Sequence, residues 1–148
     1  MKSFNNKGFT LIELLVVIAI IGLLSTLSVI ALNSAREKAR NARRVSDMKQ
    51  IQTALELYFN DVYRYPASTD IDFTATGEIA TGSGATKKVY MSVVPRNPMP
   101  KNDSPCTDQE YTYTRDLSNS YHIYYCISEN TGGISAGINF ATPAGISD

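Results

Sequence analysis

The sequence has no tryptophan, a single histidine and only two cysteines among its 148 residues. Two cysteines and one histidine cannot supply the four ligands of an ordinary structural zinc site. The histidine, His122, lies in a strand-like pattern, which favours a surface or hydrogen-bonded role over that of a catalytic base. Gly77 and Gly82 have the spacing of a phosphate-binding loop, but Ser83 and Gly84 follow where lysine and serine or threonine are required. These absences predict a protein that is not an enzyme and that holds no metal and no cofactor.

Charge is nearly absent from a long N-terminal stretch, because Glu13 is the only charged residue from Phe9 to Leu32. At about 1.5 Å per residue, a helix over this stretch would measure roughly 36 Å, enough to cross a hydrocarbon core of about 30 Å. The stretch therefore predicts a transmembrane helix. A carboxylate inside a membrane costs on the order of 2.5–3.5 kcal/mol, so Glu13 is predicted to have a function.

The net charge of zero conceals an uneven distribution. Residues 33–60 hold six basic and three acidic side chains, whereas residues 61–148 hold six basic and ten acidic ones. A basic stem before an acidic remainder does not indicate nucleic-acid binding by the bulk of the chain. Two interpretations stay open for the stem: complementary charge that packs copies together, or a solvated helix face.

A second helical segment follows the apolar stretch without a proline or glycine. Its apolar residues recur three or four positions apart, which is typical of an amphipathic helix: Ala35, Ala39, Ala42, Val45, Met48, Ile51, Leu55 and Tyr58. The large residues begin at Met48, so a domain is expected to pack on the helix from there onward. One helix is thus predicted over residues 9–60, ended by Pro66 because the residue before proline avoids the helical conformation.

The remainder of the chain carries β signals. The segments "EYTYTRD" and "SYHIYYCIS" predict a hairpin that turns at residues 117–119, and a further strand is possible at residues 138–141. Residues 67–88 read as a loop with one weak hairpin. Nine tyrosines could form a stacking surface for carbohydrate or single-stranded DNA, but more often such residues fill the core of a small sheet. The predicted fold is α+β, a long N-terminal helix with a small antiparallel β-sheet head on its C-terminal half.

Both cysteines, Cys106 and Cys126, lie in the C-terminal part of the chain. In an oxidising compartment they could form a disulfide that closes a loop of about 20 residues and contributes roughly 3 kcal/mol. The alternative is two buried free thiols.

The N-terminal motif resembles that of the type IV prepilin family, which includes type IV pilins and the pseudopilins of type II secretion. Gly8, the segment Phe9–Glu13 and the apolar run with Gly22 carry the resemblance. It continues less sharply through "YFNDVYRYP", which is similar to the major-pseudopilin branch. The resemblance implies that residues 1–8 are a leader cut by a prepilin peptidase after Gly8, that Phe9 becomes N-methylated, and that Glu13 sets the register of subunits in a helical filament.

The residues themselves are compatible with this chemistry. Gly8 offers a protease an unhindered, extended backbone. Cleavage would create an ammonium group at Phe9, four residues before Glu13, a spacing at which side chains of a helix face each other. Glu13 could pair with the amine of its own chain or with that of a neighbouring copy, and both pairings stay open.

The sequence departs from the family pattern in two places. Ile30 stands where many members have a proline, so only the hydroxyls of Ser25, Thr26 and Ser28 are local candidates for bending the helix. The acidic calcium-binding loop of the major pseudopilins is reduced to Glu129 and the distant Asp148, which argues against a metal site.

Two other interpretations of the N-terminus were considered. A signal-peptidase site could be drawn after Ala31, but the apolar run is longer than the usual 7–15 residues. Lys2 and Lys7 precede the span and five basic residues follow it, so a positive-inside count would place the C-terminus in the cytoplasm. The motif and the cysteines favour the opposite, prepilin orientation.

The predicted function is a structural subunit of a type IV pilus-like filament, with a leader at residues 1–8, a membrane and assembly half-helix at 9–32, an amphipathic half-helix at 33–62 and an extracytoplasmic head at 63–148. Expected partners are further copies of the chain, a prepilin peptidase, an assembly platform in the inner membrane and, before assembly, membrane lipid. The protein would then reside in a periplasmic or cell-surface filament. The alternative is a single-pass anchored domain that binds a ligand without polymerising. The sequence does not choose among a pilus, a secretion pseudopilus and a DNA-uptake filament.

Overall fold

The computed structural model describes residues 8–71, 73, 77–101, 103–107 and 110–147. Most of the predicted leader, residues 1–7, and the terminal Asp148 lie outside the described residues. The chain divides into two compact units, Met1–Arg36 and Glu37–Asp148. The fold is α+β, as predicted, with one long N-terminal helix and two small antiparallel sheets.

Helix α1 comprises the 52 residues Leu11–Val62. It ends at residue 62, the bound predicted for the amphipathic half and four residues before Pro66, and the next residue, Tyr63, has a positive φ of 56°. A left-handed residue at this place is a common way to terminate a helix. The Tyr63 N–H still donates to the carbonyl of Phe59 at 2.7 Å, which completes the last turn.

The first unit exposes the apolar side chains of its helical part. Phe9 is 83% exposed, and every described residue from there to Leu32 is exposed. Within the described residues, α1 is the one helix long and apolar enough to cross a membrane. It runs through Ile30 without interruption. The hydroxyls that were candidates for bending donate to carbonyls one turn back: Ser25 to Ile21, Thr26 to Leu23 and Ser28 to Leu24. Such satisfied hydroxyls are compatible with a lipid environment.

The second unit contains six described strands. They are β1 Ile79–Thr81, β2 Lys88–Met91, β3 Thr112–Leu117, β4 Ser120–Ile127, β5 Gly137–Thr142 and β6 Gly145–Ser147. Strands β1 and β2 form a two-stranded sheet, and the others form a four-stranded antiparallel meander in chain order. The weak hairpin expected within residues 67–88 therefore exists, but it extends further along the chain, to Met91. The sequence predicted one sheet where the structure has two.

The hairpin of β3 and β4 confirms the clearest β signal of the sequence. Thr112 is paired with Tyr124 and Arg115 with Tyr121, and the strands connect through a short turn. One face of β4 is buried, whereas His122 and Tyr124 on the other face are more open and Cys126 on that face is buried. Strand β5 contains the possible strand at residues 138–141, whereas β6 was not predicted.

The core lies between the C-terminal half of α1 and the sheets. Met48, Ile51 and Leu55 of the helix are each 0% exposed, as are Ile123 and Ile127 of β4. Six of the nine tyrosines are buried, so these rings fill the core and do not form a stacking surface.

The predicted apolar stripe is wrong in its first half. Ala35, Ala39 and Ala42 are exposed, and the helix instead buries Asn41 and Arg44 on the face that continues into Met48. An alanine methyl gains little from burial, whereas these longer polar side chains reach partners in the head.

Candidate functional site

Two groups of residues are candidates for function: the N-terminal motif around Glu13 and a buried polar cluster in the second unit. Each lies within one of the compact units.

The carboxylate of Glu13 is held by Thr10, one turn earlier. The Thr10 N–H and hydroxyl both donate to Glu13 Oε2, at 2.8 and 2.6 Å, and the Glu13 N–H lies 3.3 Å from Thr10 Oγ1. This reciprocal arrangement is a capping box, which satisfies free N–H groups at a helix start. The sequence analysis missed it, although threonine followed three residues later by glutamate before an apolar run is its known signature.

Gly8 and Phe9 precede the helix in an open environment. A Cβ atom built on Gly8 would meet no atom within 4 Å, so the local fold does not require glycine there. In the uncut chain the Phe9 nitrogen is a peptide N–H, and the ammonium group expected beside Glu13 does not yet exist. The structure thus pairs Glu13 with Thr10, and the predicted pairing with an amine remains a prediction about the processed protein.

The second unit contains a disulfide between Cys106 and Cys126, which are 20 residues apart in sequence. Cys126 belongs to β4, and Cys106 lies in the connection between β2 and β3. The Cys106 N–H donates to the carbonyl of Asp103 at 2.6 Å, so the disulfide lies beside the polar cluster.

The polar cluster is centred on the carboxylate of Asp103, which two arginines of helix α1 share. Arg40 donates from Nε at 2.9 Å and from Nη2 at 2.6 Å, and Arg44 Nη2 is 3.0 Å away. The bidentate pairing is a strong form of charge-assisted hydrogen bond. The Arg44 side chain is 0% exposed and that of Asp103 is 8% exposed. We call Arg40, Asn41, Arg44, Asn97, Asp103 and Ser128 the Asp103 cluster.

The remaining donors of the buried Arg44 are also satisfied. Its Nε donates to Asn97 Oδ1 and its Nη1 to Asn41 Oδ1, both at 2.8 Å. Asn41 in turn donates to the hydroxyl of Ser128 at 2.9 Å and accepts the Ser128 N–H at 3.2 Å. The cluster therefore joins helix α1 to the segment after β2 and to the residue after β4. A buried charge requires partners of this kind.

Two carboxyl groups near this face have pKa values shifted in opposite directions. Hydrogen bonding and charge from Arg40 lower the pKa of Asp103, assisted by Arg44. Burial raises the pKa of Asp47, although the Tyr111 hydroxyl donates to it at 3.1 Å. The ionised state of Asp103 thus stabilises the folded head, whereas that of Asp47 is disfavoured by folding.

The sequence contained a signal for this cluster. From Ile51 and Met48, steps of three and four residues lead back to Arg44 and Asn41, and the same steps lead forward to Leu55 and Tyr58. Continuing that period through polar residues would have placed Asn41 and Arg44 on the buried face. Their partner Asp103 could not be found in this way, because it lies about 60 residues away in an irregular connection.

No group of three or more His, Cys, Asp or Glu residues in the described part of the chain is arranged to hold a metal ion. Glu129 follows the buried Ser128 in the connection between β4 and β5. Its suggested companion, Asp148, lies outside the described residues.

The geometry defines an α+β protein with a disulfide-bonded head and an exposed apolar half-helix that is long enough to cross a membrane. Residues 3–29 match the family described as the prokaryotic N-terminal methylation motif. Together with the relatives below, this match supports the resemblance to the type IV pilin and pseudopilin family, nearest its major-pseudopilin branch.

The curated relatives include the type II secretion system core protein G of several bacteria. The protein from Pectobacterium carotovorum subsp. carotovorum is 42% identical over 67 residues, which are 45% of this chain and 43% of the relative. That of Escherichia coli strain K12 is 42% identical over 64 residues, 43% of this chain and 44% of the relative. That of Pseudomonas aeruginosa is 34% identical over 102 residues, 69% of this chain and 61% of the relative.

The chain spans about half the length of the first of these relatives. No solved structure matches it. The motif and the relatives support a pilin-like structural subunit.

Proposed function

We propose that the chain is a structural subunit of a type IV pilus-like filament, of the kind that serves type II secretion. In this proposal a prepilin peptidase removes residues 1–8, Phe9 is N-methylated, and residues 9–32 first anchor the subunit in the inner membrane. Residues 33–62 form the amphipathic half of the helix, and residues 63–148 form a head outside the cytoplasm. An assembly platform in the inner membrane then transfers the subunit from lipid into a periplasmic or cell-surface filament.

The observation that carries the proposal is the exposed apolar half-helix with one carboxylate near its start. An apolar surface of this size must be covered, by lipid or by other protein. Lipid alone explains the apolar residues but not Glu13, since a carboxylate in a membrane is costly. Packing against further copies explains both, because apolar contact is not directional, whereas a buried carboxylate selects the stagger at which it finds a donor.

The environment of Gly8 supports the proposed processing. Because an added Cβ would contact nothing, Gly8→Val should leave the fold intact and act only on the peptidase. We expect intact-protein mass spectrometry of membranes to show a wild-type chain that begins at a methylated Phe9, and an uncut precursor for Gly8→Val. A wild-type chain that begins at Met1 or at Leu32 would contradict the proposed processing.

Glu13 is tested after processing. Glu13→Gln keeps the side-chain oxygen that can cap the helix with Thr10 but removes the charge, whereas Thr10→Ala removes the cap and keeps the charge. If Glu13 sets the register between subunits, Glu13→Gln should be cleaved normally and give few or no sheared filaments. Thr10→Ala should then retain much of the wild-type yield, since losing a helix cap costs only about 1 kcal/mol. Wild-type filament yield from Glu13→Gln would reduce Glu13 to a pairing group within one chain.

The alternative function is an anchored domain that binds a ligand without polymerising. It predicts the same exposed half-helix but no filaments at any level of expression. Electron microscopy of sheared cell-surface and periplasmic material from wild-type cells distinguishes the two functions.

A further inference from the structure

A cationic groove of the second unit lies between helix α1 and the segment at residues 93–99. Its volume is about 620 Å³, and the arginines that line it are Arg40, Arg43 and Arg96. Two apolar side chains at the groove are largely exposed, Val93 at 66% and Met99 at 74%. Basic groups beside exposed apolar ones are a common composition of protein interfaces.

The charges of this groove are only partly neutralised. Arg40 is paired with Asp103, as described above. Arg43 and Arg96 form no ion pair with any other described residue, and both are exposed. The groove therefore carries two arginines without an ion-pair partner among the described residues, and it fits an anionic occupant.

Among the described residues from Asp61 onward, one acidic side chain has no partner. From Asp61 onward the structure describes seven acidic residues, and the carboxylates of six of them accept a hydrogen bond or form an ion pair within the described chain: Asp61, Asp70, Glu78, Asp103, Glu110 and Asp116. Only the carboxylate of Glu129 makes no hydrogen bond or ion pair with another described residue. Its side chain is half-buried in the connection between β4 and β5.

Hydrogen bonds of the Asp103 cluster attach both the groove segment and the segment of Glu129 to neighbouring turns of α1. Asn97, which lines the groove, accepts from Arg44, and Ser128, which precedes Glu129, contacts Asn41. The two surfaces come from different segments and are both held firmly by buried hydrogen bonds. Glu129 forms no ion pair with Arg43 or Arg96 of its own chain, which leaves both surfaces open to a second copy.

We propose that the groove lined by Arg43 and Arg96 receives the Glu129 loop of a second copy of this chain. Because the two surfaces differ, the contact is heterologous, and heterologous contacts that do not close into a ring produce open helical assemblies. The contact would also cover Val93 and Met99. This inference rests on the proposed filament function and adds to it a second register contact, formed by the heads.

The test is a charge exchange in the full-length chain, in cells that assemble it. Arg96→Glu and Glu129→Arg each place like charges opposite each other, which is strongly unfavourable at an interface. We expect each single variant to lower the yield of sheared filaments by about tenfold or more, since the penalty recurs at every subunit. The double variant restores opposite charges and should recover most of the yield. Arg64→Glu is the matched control, because Arg64 is exposed and lies outside the groove.

Leader cleavage and the Cys106–Cys126 disulfide are measured in every variant, to show that each subunit is processed and folded. Absence of filaments from the wild type would overturn the proposed function itself. If the wild type assembles, wild-type yield from Arg96→Glu overturns the inference. A defect in Arg96→Glu that Glu129→Arg neither shares nor rescues also overturns it, and that pattern would assign the groove to an anionic lipid or another partner.

Discussion

The apolar side chains of helix α1 are exposed in its first part and mostly buried in its second part. Leu15, in the first unit, is 55% exposed, whereas Leu55, in the second, is 0% exposed. The apolar side chains of the first part must be covered by lipid or by other protein, whereas most of those in the second part are already buried in a packed core. Secondary structure is the same in both, so helix formation alone does not distinguish an anchor from a scaffold.

The second unit buries and stabilises its side chains through contacts among its own residues, whereas the first unit depends on its surroundings to cover its apolar side chains. The head has a core of aliphatic and tyrosine side chains, a disulfide and the fully hydrogen-bonded Asp103 cluster. All nine tyrosines lie at or beyond Tyr58, so tyrosine circular dichroism reports on this unit alone. That signal, measured in detergent-solubilised protein during denaturant unfolding, can separate the two units in the following tests.

The largest effect is expected at Arg44. Arg44→Ala removes a buried partner of Asp103 together with the hydrogen bonds that Arg44 donates to Asn41 and Asn97, which should destabilise the head by about 3–5 kcal/mol. The adjacent Arg43→Ala changes an exposed side chain and should stay within about 0.5 kcal/mol of wild type. The midpoint of urea unfolding measures both. Equal effects at the two positions would show that the Asp103 cluster does not hold the head.

The two leucines test the comparison directly. Leu55→Ala should destabilise the head by about 2–5 kcal/mol, since it leaves a cavity in a packed core. Leu15→Ala removes the same atoms from an exposed position and should leave the tyrosine unfolding curve unchanged. A comparable loss of head stability from Leu15→Ala would mean that the exposed half-helix contributes to the head, and the division into two units would be wrong.

The disulfide should contribute slightly less. Replacing Cys106 and Cys126 together by alanine should cost about 3 kcal/mol, because the closed loop of 20 residues restricts the unfolded chain. Alkylation of the native protein without reductant should label neither cysteine. Full labelling of both would contradict the disulfide and would weaken the extracytoplasmic orientation proposed for the head.

The sequence predicted the regular parts of this molecule and missed the irregular ones. The helix, the hairpin of β3 and β4 and the buried face of β4 follow from periodicity, which depends on neighbouring residues alone. The left-handed conformation of Tyr63, directly after α1, was not predicted, because no local pattern required it. Strand β6 is three residues long and too short for a pattern.

The candidate sites divide in the same way. Gly8, Phe9 and Glu13 were recognised because the motif is contiguous, and the Thr10 cap could have been recognised too. Arg44 and Asp103 belong to one site only after folding brings them together. The positive-inside count treated Arg40 and Arg44 as free charges, whereas the structure shows both bound to Asp103. A count of basic residues is therefore a poor guide to membrane topology where those residues form ion pairs in the folded protein.

The smallest expected effect is the pH dependence of the stability of the second unit, which contains every acidic residue except Glu13. The folded pKa of Asp103 lies below its ordinary value of 3.8, so its stabilising contribution is complete above that value and is lost as the pH falls through the folded pKa. The stability difference between wild type and Asp103→Asn should thus be constant near neutrality and narrow in acid. The contribution of Asp47 to stability has the opposite pH dependence, because its pKa is raised in the folded state. Asp47 therefore stabilises the folded state only while it is protonated, and this contribution is lost as the pH rises through the folded pKa. Asp47→Asn should therefore make the acid loss of stability steeper than in wild type. Urea midpoints at a series of pH values would measure this, and parallel curves for wild type and Asp103→Asn down to strong acid would show that the carboxylate of Asp103 does not stabilise the head through its charge.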